Sequence, residues 1–500
     1  MNPLRKLAVQ FSHFFLGTLS MQLIGLVSFP FLTRALTKEQ YGILGLVTIT
    51  MLVAVAVAKA GLADGVIRFY RECGDSPERL AEFASTVLFR GLIFAAGTAA
   101  VYFIAFPGLE RALGIKEQYH LSFLIMGAYV LIRPINILVM YFLRVNDRTV
   151  FLNVIYFLER AVSVSLGLLL LLFLIPDLSG YFLGVISAEL IIAVVLYRWF
   201  FQKYTLRPRK ISNPLNLKLL RFGIPLLFSE LSYLFMTYAD RYLMMGFFDE
   251  AMLGLYSVGY NLAMYIGNIV MISLSYAVVP IYVEIFEKEG RERTEEFLRK
   301  VLRYFTPASI LMFFGYWAMS PEVFIVLASE KYSEAASFSP IILAGTLVYA
   351  LSSILNAGLY LRKKTPVMLL IMVCAVGLNI GLNYFLMPRY GVFGGAWTAL
   401  ATSSTVVLLT GIFSSRYLTV RVEISPLIYY FSLSLVMFGA MNLLHFQSAA
   451  VTLALKLGVG CLVAGLGIGY WERELMRKLW GWLSGEGKGF DPRGAVIRGR

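Results

Sequence analysis

Apolar stretches of roughly twenty residues alternate along this chain with short polar segments. A helix of about 20 apolar residues crosses the hydrocarbon core of a bilayer. The pattern therefore predicts an all-α polytopic membrane protein with about 14 transmembrane helices. The predicted spans are Phe14–Thr33, Tyr41–Ala58, Ala84–Phe106, Leu121–Leu143, Val154–Ile175, Tyr181–Tyr197, Phe222–Phe248, Met252–Val283, Phe305–Met319 (running on past Pro321), Phe338–Leu361, Val367–Met387, Val392–Phe413, Leu427–Leu444 and Leu453–Tyr470.

The positive charges are distributed unevenly between alternate loops. Most of the 44 Lys and Arg residues fall on the terminal segments and the even-numbered loops, and few fall on the odd-numbered loops. By the positive-inside rule, both termini are predicted to be cytoplasmic, in a multi-pass cell-membrane protein. The net charge of +14 suits an anionic inner leaflet. No basic module of the kind that binds nucleic acid is visible.

A weak internal repeat suggests two similar bundles. The stretch Tyr41–Val47 at the start of the second span resembles Leu253–Gly259 at the start of the eighth. Transporters are often built from such repeats, with the site between them. The predicted organisation is an N-terminal lobe (1–205), a cytoplasmic linker ending in a short helix (206–221), a C-terminal lobe (222–415), two further spans (416–470) and a basic tail (471–500). The loop 284–303 is predicted to be an amphipathic surface helix.

Several kinds of chemistry are absent from the sequence. The nearest match to a Walker A motif, Gly485–Gly489, lacks the required spacing and the Ser or Thr. Three dispersed cysteines and three dispersed histidines suggest neither a disulfide framework nor a metal site. No exterior loop has room for a catalytic domain. We therefore expect a protein that is not an enzyme and that uses no cofactor.

Basic residues within or beside the spans are the candidate anion-binding groups, because an ionisable side chain in a span is costly unless it serves a function or has a partner. Arg133 lies mid-span before Pro134; the alternative to anion binding is a structural pair with Glu159 or Glu189. The other predicted substrate-binding residues are Arg90, Arg68, Lys59 and Arg160. Alternatively, Arg90 snorkels to the cytoplasmic face, and Lys59 and Arg68 belong with Asp64 and Arg71 to an ordinary charged collar.

Acidic residues within the spans are the candidate sites for coupling to H⁺ or Na⁺. These residues are Glu230, Glu189, Glu159 and Asp240. The alternative for Glu189 and Glu230 is a packing acid, and for Asp240 with Arg241 it is closure or anchoring of the outer end of span 7. Lys456 has no acidic neighbour in the last two spans, so either its partner lies elsewhere or its head group snorkels.

The chain resembles the polysaccharide exporter (oligosaccharide flippase) family of the multidrug/oligosaccharidyl-lipid/polysaccharide exporter superfamily. The residues that carry the resemblance are Phe15–Thr18, Phe29–Arg34, Tyr41–Gly42, Gly61–Gly65, Arg68–Arg71, Asp240–Tyr242, Gly254–Val258 and Gly391–Ala396. The resemblance implies two six-helix lobes around a V-shaped cavity that opens alternately to each side. It also implies a substrate in which a sugar is joined to a polyprenol lipid through phosphate or pyrophosphate.

The predicted function is translocation of a lipid-linked oligosaccharide from the inner to the outer leaflet for cell-surface polysaccharide assembly. Membrane lipids and polysaccharide polymerases or glycosyltransferases are the expected partners. The alternatives are a flippase for a peptidoglycan lipid precursor, a membrane-bound polymerase or ligase, and a drug/cation antiporter. The polymerase predicts a long exterior catalytic loop, which this sequence lacks. The antiporter predicts an acidic first span, and Phe14–Thr33 contains no acid.

Overall fold

The computed structural model describes residues 22–74, 76–420 and 422–472. Residues 14–21 of the predicted first span and nearly all of the basic tail lie outside these residues. Within them, 13 helical segments are long and apolar enough to cross a membrane. Each of the predicted spans 2 to 14 overlaps one of these segments, which confirms the all-α polytopic class.

The helices are numbered in chain order. The bounds are α1 (22–35), α2 Lys38–Lys59, α3 Leu62–Phe69, α4 Pro77–Leu113, α5 His120–Val145, α6 Thr149–Leu169, α7 Leu178–Lys203, α8 Asn213–Phe247, α9 Glu250–Glu289, α10 Arg291–Val323, α11 Ser339–Ala350, α12 Ser352–Leu355, α13 Ala357–Leu361, α14 Thr365–Tyr390, α15 Val392–Ser415, α16 Ile424–Asn442 and α17 Ala449–Trp471. A π-helical turn extends α6 over Leu170–Leu174 and another extends α10 over Phe324–Ala328.

The linker and the amphipathic loop both continue into neighbouring spans. The short helix predicted at the end of the linker is the beginning of α8, which starts at Asn213 and runs unbroken to Phe247. Ser212 accepts a hydrogen bond as its N-cap, and Pro214 occupies the first turn, where a proline is tolerated. The amphipathic stretch 291–303 is likewise the first part of α10, with Phe297 and Leu298 buried. As predicted, this span runs on past Pro321.

Contacts divide the chain into two compact units. The first contains the chain up to Val258 together with Met372–Thr398, and the second contains Gly259–Ile371 and the chain from Ala399 on. In the first unit, a buried apolar cluster joins α3, α4, α5, α7 and the start of α8. The predicted boundary between lobes at residues 206–221 stays a prediction.

Glycine contacts bring two pairs of helices in the first unit to backbone distance. At the start of α2 and α9, a Cβ on Gly42 would lie 2.3 Å from the carbonyl oxygen of Glu250, and one on Gly254 would lie 1.9 Å from that of Lys38. At the other end of α2, a Cβ on Gly61 would lie 2.2 Å from the carbonyl oxygen of Gly223. Only residues without a side chain allow such an approach, so these glycines fix α2 and α3 against α8 and α9.

A buried ion pair fixes the last helix in the second unit. Lys456 on α17 donates to Glu322 Oε1 on α10 at 2.7 Å and to the carbonyl oxygen of Ala318 at 2.9 Å. Both side chains are at least nine-tenths buried. The partner of Lys456 therefore lies outside the last two spans, which was one of the two outcomes expected for this residue.

Lys456→Ala should destabilise the protein strongly. It leaves the Glu322 carboxylate buried without its cation, and breaking such a pair costs about 3–5 kcal/mol. Thermal unfolding in detergent measures the loss. The double variant Lys456→Met/Glu322→Gln should recover most of it, because no isolated charge remains. Equal stability of the single and double variants would contradict the buried pair.

Gly254→Ala should also destabilise, because the added methyl collides with the backbone of Lys38 and overpacking costs typically about 1–3 kcal/mol. The matched control is Gly246→Ala on α8, where an added Cβ meets nothing within 4 Å. The control should leave the unfolding temperature unchanged or raise it slightly through helix propensity. The same loss in both variants would mean that helix flexibility, and not the close contact, explains the effect.

Candidate functional site

One cluster of charged side chains lies near the middle of three helices of the first unit. Arg133 on α5 places Nη1 2.6 Å from Glu159 Oε1 on α6 and 3.2 Å from Glu189 Oε1 on α7. Asn136, one turn after Arg133, donates to Glu189 Oε1 at 2.9 Å and to the Glu189 carbonyl oxygen at 3.2 Å. We call Arg133, Glu159, Glu189 and Asn136 the Arg133 cluster. It ties α5 to both following helices.

The Arg133 cluster holds more acid than base. One guanidinium faces two carboxylates, so these four side chains carry one net negative charge when both acids are ionised, and Arg160 also interacts electrostatically with Glu159. The Glu189 side chain is almost completely buried, whereas the Arg133 and Glu159 side chains are 16% and 15% exposed. Among the described residues, Glu159 Oε2 and Asn136 Oδ1 are buried and have no hydrogen-bond partner. Two unused acceptors beside an excess carboxylate can accept a proton or a small cation.

The structure shows Arg133 in an ion pair, which was the alternative to anion binding in the sequence analysis. The guanidinium contacts both of the acids that were named as alternatives, Glu159 and Glu189. An anion at this position would compete with two carboxylates, one of which cannot reach water. In this structure the Arg133 guanidinium is shared between two carboxylates, and its predicted role in anion binding stays a prediction.

A second ion pair joins the end of α2 to α8. Lys59 Nζ donates to Glu230 Oε1 at 2.7 Å, and the lysine side chain is 14% exposed against 39% for the glutamate. Asp64 on α3 lies close enough to interact electrostatically with both. Burial raises the pKa of the Asp64 carboxyl, and Lys59 opposes that rise. The pair unites one residue predicted to bind substrate with one predicted to couple an ion.

The other predicted cations, Arg68, Arg90 and Arg160, take no part in the ion pairs of the Arg133 cluster. Arg68 is exposed, with Nη1 4.0 Å from Glu72 Oε1 and its guanidinium over the Phe69 ring. Arg90 donates to Asn213 at the start of α8, and its buried Nε has no partner in the described part of the chain. Arg160 is exposed on α6. The structure does not gather these arginines into one cationic site.

Asp240 is engaged in a buried anchor on α8. Its Oδ2 accepts a hydrogen bond from Tyr256 at 2.6 Å, and its Oδ1 lies 3.3 Å from Arg241 Nη1. Tyr242, two residues after Asp240, shares a hydrogen bond of 2.8 Å with Thr50 on α2. These contacts are of the kind expected from the anchoring alternative for Asp240, and its predicted role in ion coupling stays a prediction.

Two features were missed by the sequence analysis. Asn136 lies three residues after Arg133, and that spacing places both on one helix face, so the pattern contained the signal. Lys116, in the loop after α4, pairs with Glu250 Oε2 at 2.9 Å. The Glu250 carboxylate, through its hydrogen bond and its charge, raises the pKa of the Lys116 ammonium. No sequence signal connects these two residues, which lie 134 positions apart.

The second unit contains an apolar groove of about 250 Å³ along α10, α11 and α16. Its lining is aromatic and aliphatic, with only Thr306 and Ser309 supplying hydroxyl groups. The residues that line it are Thr306, Ser309, Ile310, Phe313, Phe314, Ala344, Leu347, Val348, Leu351 and Phe431. Such a lining suits a hydrocarbon chain.

Comparison with known structures places this fold among lipid and drug transporters. The inward closed conformation of the lipid II flippase MurJ matches with a TM-score of 0.76 and 15% identity, over 94% of this chain and 100% of that one. An inward-facing multidrug resistance MATE family transporter of the MOP superfamily matches with a TM-score of 0.61 and 14% identity, over 79% and 94%. The Vibrio cholerae MATE transporter VcmN matches with a TM-score of 0.59 and 14% identity, over 82% and 96%.

Sequence comparison supplies the family. No curated protein matches the sequence as a whole. The MatE family model matches residues 225–385. The model described as "Polysaccharide biosynthesis protein" matches residues 9–286, which is more than half of the chain. The chain therefore belongs to the polysaccharide biosynthesis protein family, and it is a multi-pass membrane protein with the fold of the MurJ and MATE transporters.

Proposed function

We propose that this protein flips a lipid-linked oligosaccharide, joined through polyprenyl phosphate or pyrophosphate, from the cytoplasmic to the outer leaflet. Family membership is the observation that carries the proposal, because the matching model is one of polysaccharide biosynthesis. The fold similarity to a lipid flippase over 94% of the chain adds support. Both termini lie in the cytoplasm in this proposal, as the distribution of Lys and Arg requires.

The substrate has two chemically different parts, and the chain offers a candidate region for each. The apolar groove along α10, α11 and α16 suits a segment of the polyprenyl tail. Cations suit the phosphate, since charge-assisted hydrogen bonds to phosphate are short and strong. Lys59 and Arg90 are the best placed of the predicted cations, because Lys59 has a single carboxylate partner and Arg90 retains a buried N–H without one. Arg68 and Arg160 are exposed and would attract the head group at longer range.

The Arg133 cluster is the proposed site of ion coupling. The Glu159 carboxylate can take up H⁺, its unpaired Oε2 and Asn136 Oδ1 can contact Na⁺, and Glu159 is the more accessible of the two acids. Uptake at Glu159 would weaken its pair with Arg133 and thereby change the packing of α5 on α6. Polysaccharide polymerases or glycosyltransferases of the same assembly route are the proposed partners.

Two other transport functions are favoured by particular observations. The fold similarity to the lipid II flippase favours a peptidoglycan precursor as substrate. The fold similarity to MATE transporters, together with the net acidic Arg133 cluster, favours an organic cation. The three substrates differ in the group that is recognised, so direct transport assays separate them.

Proteoliposomes that contain the protein should flip a fluorescent polyprenyl-pyrophosphate oligosaccharide faster than protein-free liposomes do. The physical reason is that the protein shields the polar head group from the hydrocarbon core. The measurement is the fraction of label that becomes accessible to a membrane-impermeant quencher over time. Flipping of lipid II alone would assign the first alternative, and efflux of organic cations without any lipid flipping would overturn the proposal.

Glu159→Gln should remove the response of flipping to an imposed pH gradient while preserving slow, gradient-independent flipping. The amide cannot release a proton, but it keeps the shape of the carboxyl group and can still accept a hydrogen bond from Arg133. Initial flipping rates with and without a gradient measure the response. Glu287→Gln, on the exposed end of α9, is the control. A full response in Glu159→Gln would move coupling away from the Arg133 cluster.

A further inference from the structure

The ion pair between Lys59 and Glu230 is asymmetric in its exposure. The lysine side chain is 14% exposed and the glutamate side chain is 39% exposed. If the pair opens, Glu230 has the more open surroundings of the two side chains, so it is the one that can turn away from the contact. The Lys59 ammonium is mostly surrounded by protein and needs a new anionic partner, because an unpaired buried charge is costly. The geometry therefore favours replacement of the acid, while the lysine stays in place.

The pair lies beside a backbone contact that it helps to hold. Gly61 follows Lys59 by two residues, has a φ of +69°, and packs directly on Gly223 of α8. Glu230 lies seven residues further along α8, about 10 Å at the rise of an α-helix. The salt bridge and the glycine contact are thus two neighbouring contacts that hold the α2–α3 corner against α8. Loss of the salt bridge would leave the glycine contact without its neighbouring electrostatic support.

The surrounding charges are balanced. Asp64 on α3 interacts electrostatically with Lys59, with Glu230 and with Arg144 at the end of α5. These four groups comprise two cations and two acids, so their formal charges cancel. A phosphate that arrives would displace one acid and form a new pair with the lysine.

We infer that Lys59 is an exchange cation: a phosphate of the lipid head group replaces Glu230 as its partner, and this exchange releases α8 from the α2–α3 corner. The inference rests on the proposed function and on the proposed orientation, which places this corner at the cytoplasmic side. It gives Glu230 the role of a competitor that is displaced by substrate. It also links recognition of the anionic head group directly to movement of a helix.

The pair between Lys116 and Glu250 shows the opposite arrangement. Here the cation is 57% exposed and the acid only 4% exposed. Displacement of Glu250 by an anion would leave a carboxylate buried alone, which is unfavourable. This pair is therefore suited to holding α9 against the loop after α4. Of these two pairs, only Lys59 and Glu230 combine a mostly buried cation with a more exposed acid, which is the arrangement that exchange requires.

The test compares Lys59→Gln with Glu230→Gln in the flipping assay, with the mole fraction of substrate lipid varied. Both variants break the same salt bridge. If Lys59 is the exchange cation, Lys59→Gln raises the half-saturating mole fraction by about tenfold or more, which is the scale of one charge-assisted hydrogen bond. Glu230→Gln lowers it, because the competitor is removed. Lys59→Arg should retain near-normal half-saturation, because the positive charge remains.

Lys218→Gln is the control, since it removes a half-exposed positive charge, paired with Glu72, from the first turns of α8. It should change the half-saturating mole fraction less than twofold. Shifts in the same direction for Lys59→Gln and Glu230→Gln would show a purely structural pair and would overturn the inference, while leaving the proposed function intact. Absence of flipping by the wild-type protein would instead remove the proposed function and, with it, the basis of the inference.

Discussion

The low dielectric of the membrane interior requires that each ionisable side chain within a span find a partner, and this requirement determines which helices are neighbours. An unpaired charge there is far more costly than any single apolar contact is favourable. The Arg133 cluster joins α5, α6 and α7, the Lys59–Glu230 pair joins α2 to α8, and the Lys456–Glu322 pair joins α10 to α17. Apolar packing between helices is less selective, because lipid can replace it.

The positions of the spans were predictable from the sequence, because insertion depends mainly on hydropathy summed over about twenty residues. The partners of the charges were less predictable. The sequence offered Glu159 or Glu189 for Arg133, and the structure uses both. That outcome depends on the rotation of α6 and α7 about their axes, which hydropathy does not specify.

Lys456 shows a different reason for incomplete prediction. Its partner, Glu322, follows Pro321, where a helix is expected to weaken. Because α10 continues through that proline, Glu322 enters the buried part of the second unit. The continuation of the helix past Pro321 was predicted, but the burial of the adjacent Glu322 was not. The information was present, and only its consequence for the charge was missed.

Glycines gave a sequence signal whose structural meaning was not evident. Gly42 and Gly254 were recognised as corresponding positions of a repeat, yet the structure shows that they pack against each other's helices. A repeat motif that contacts its own counterpart is under two constraints at once. It must begin a span, and it must also be small enough for the backbone of the partner helix to approach. The second constraint explains why the residue is glycine at both positions.

The pairing of cations with acids also bears on how a flippase for an anionic lipid must work. A cavity with several unpaired arginines would bind a pyrophosphate tightly and release it slowly. Transport instead requires binding that is strong enough for capture and weak enough for release. When a cation such as Lys59 already has an acidic partner, the substrate gains only the difference between two ion pairs. The pairing of Lys59 with Glu230 is therefore compatible with turnover.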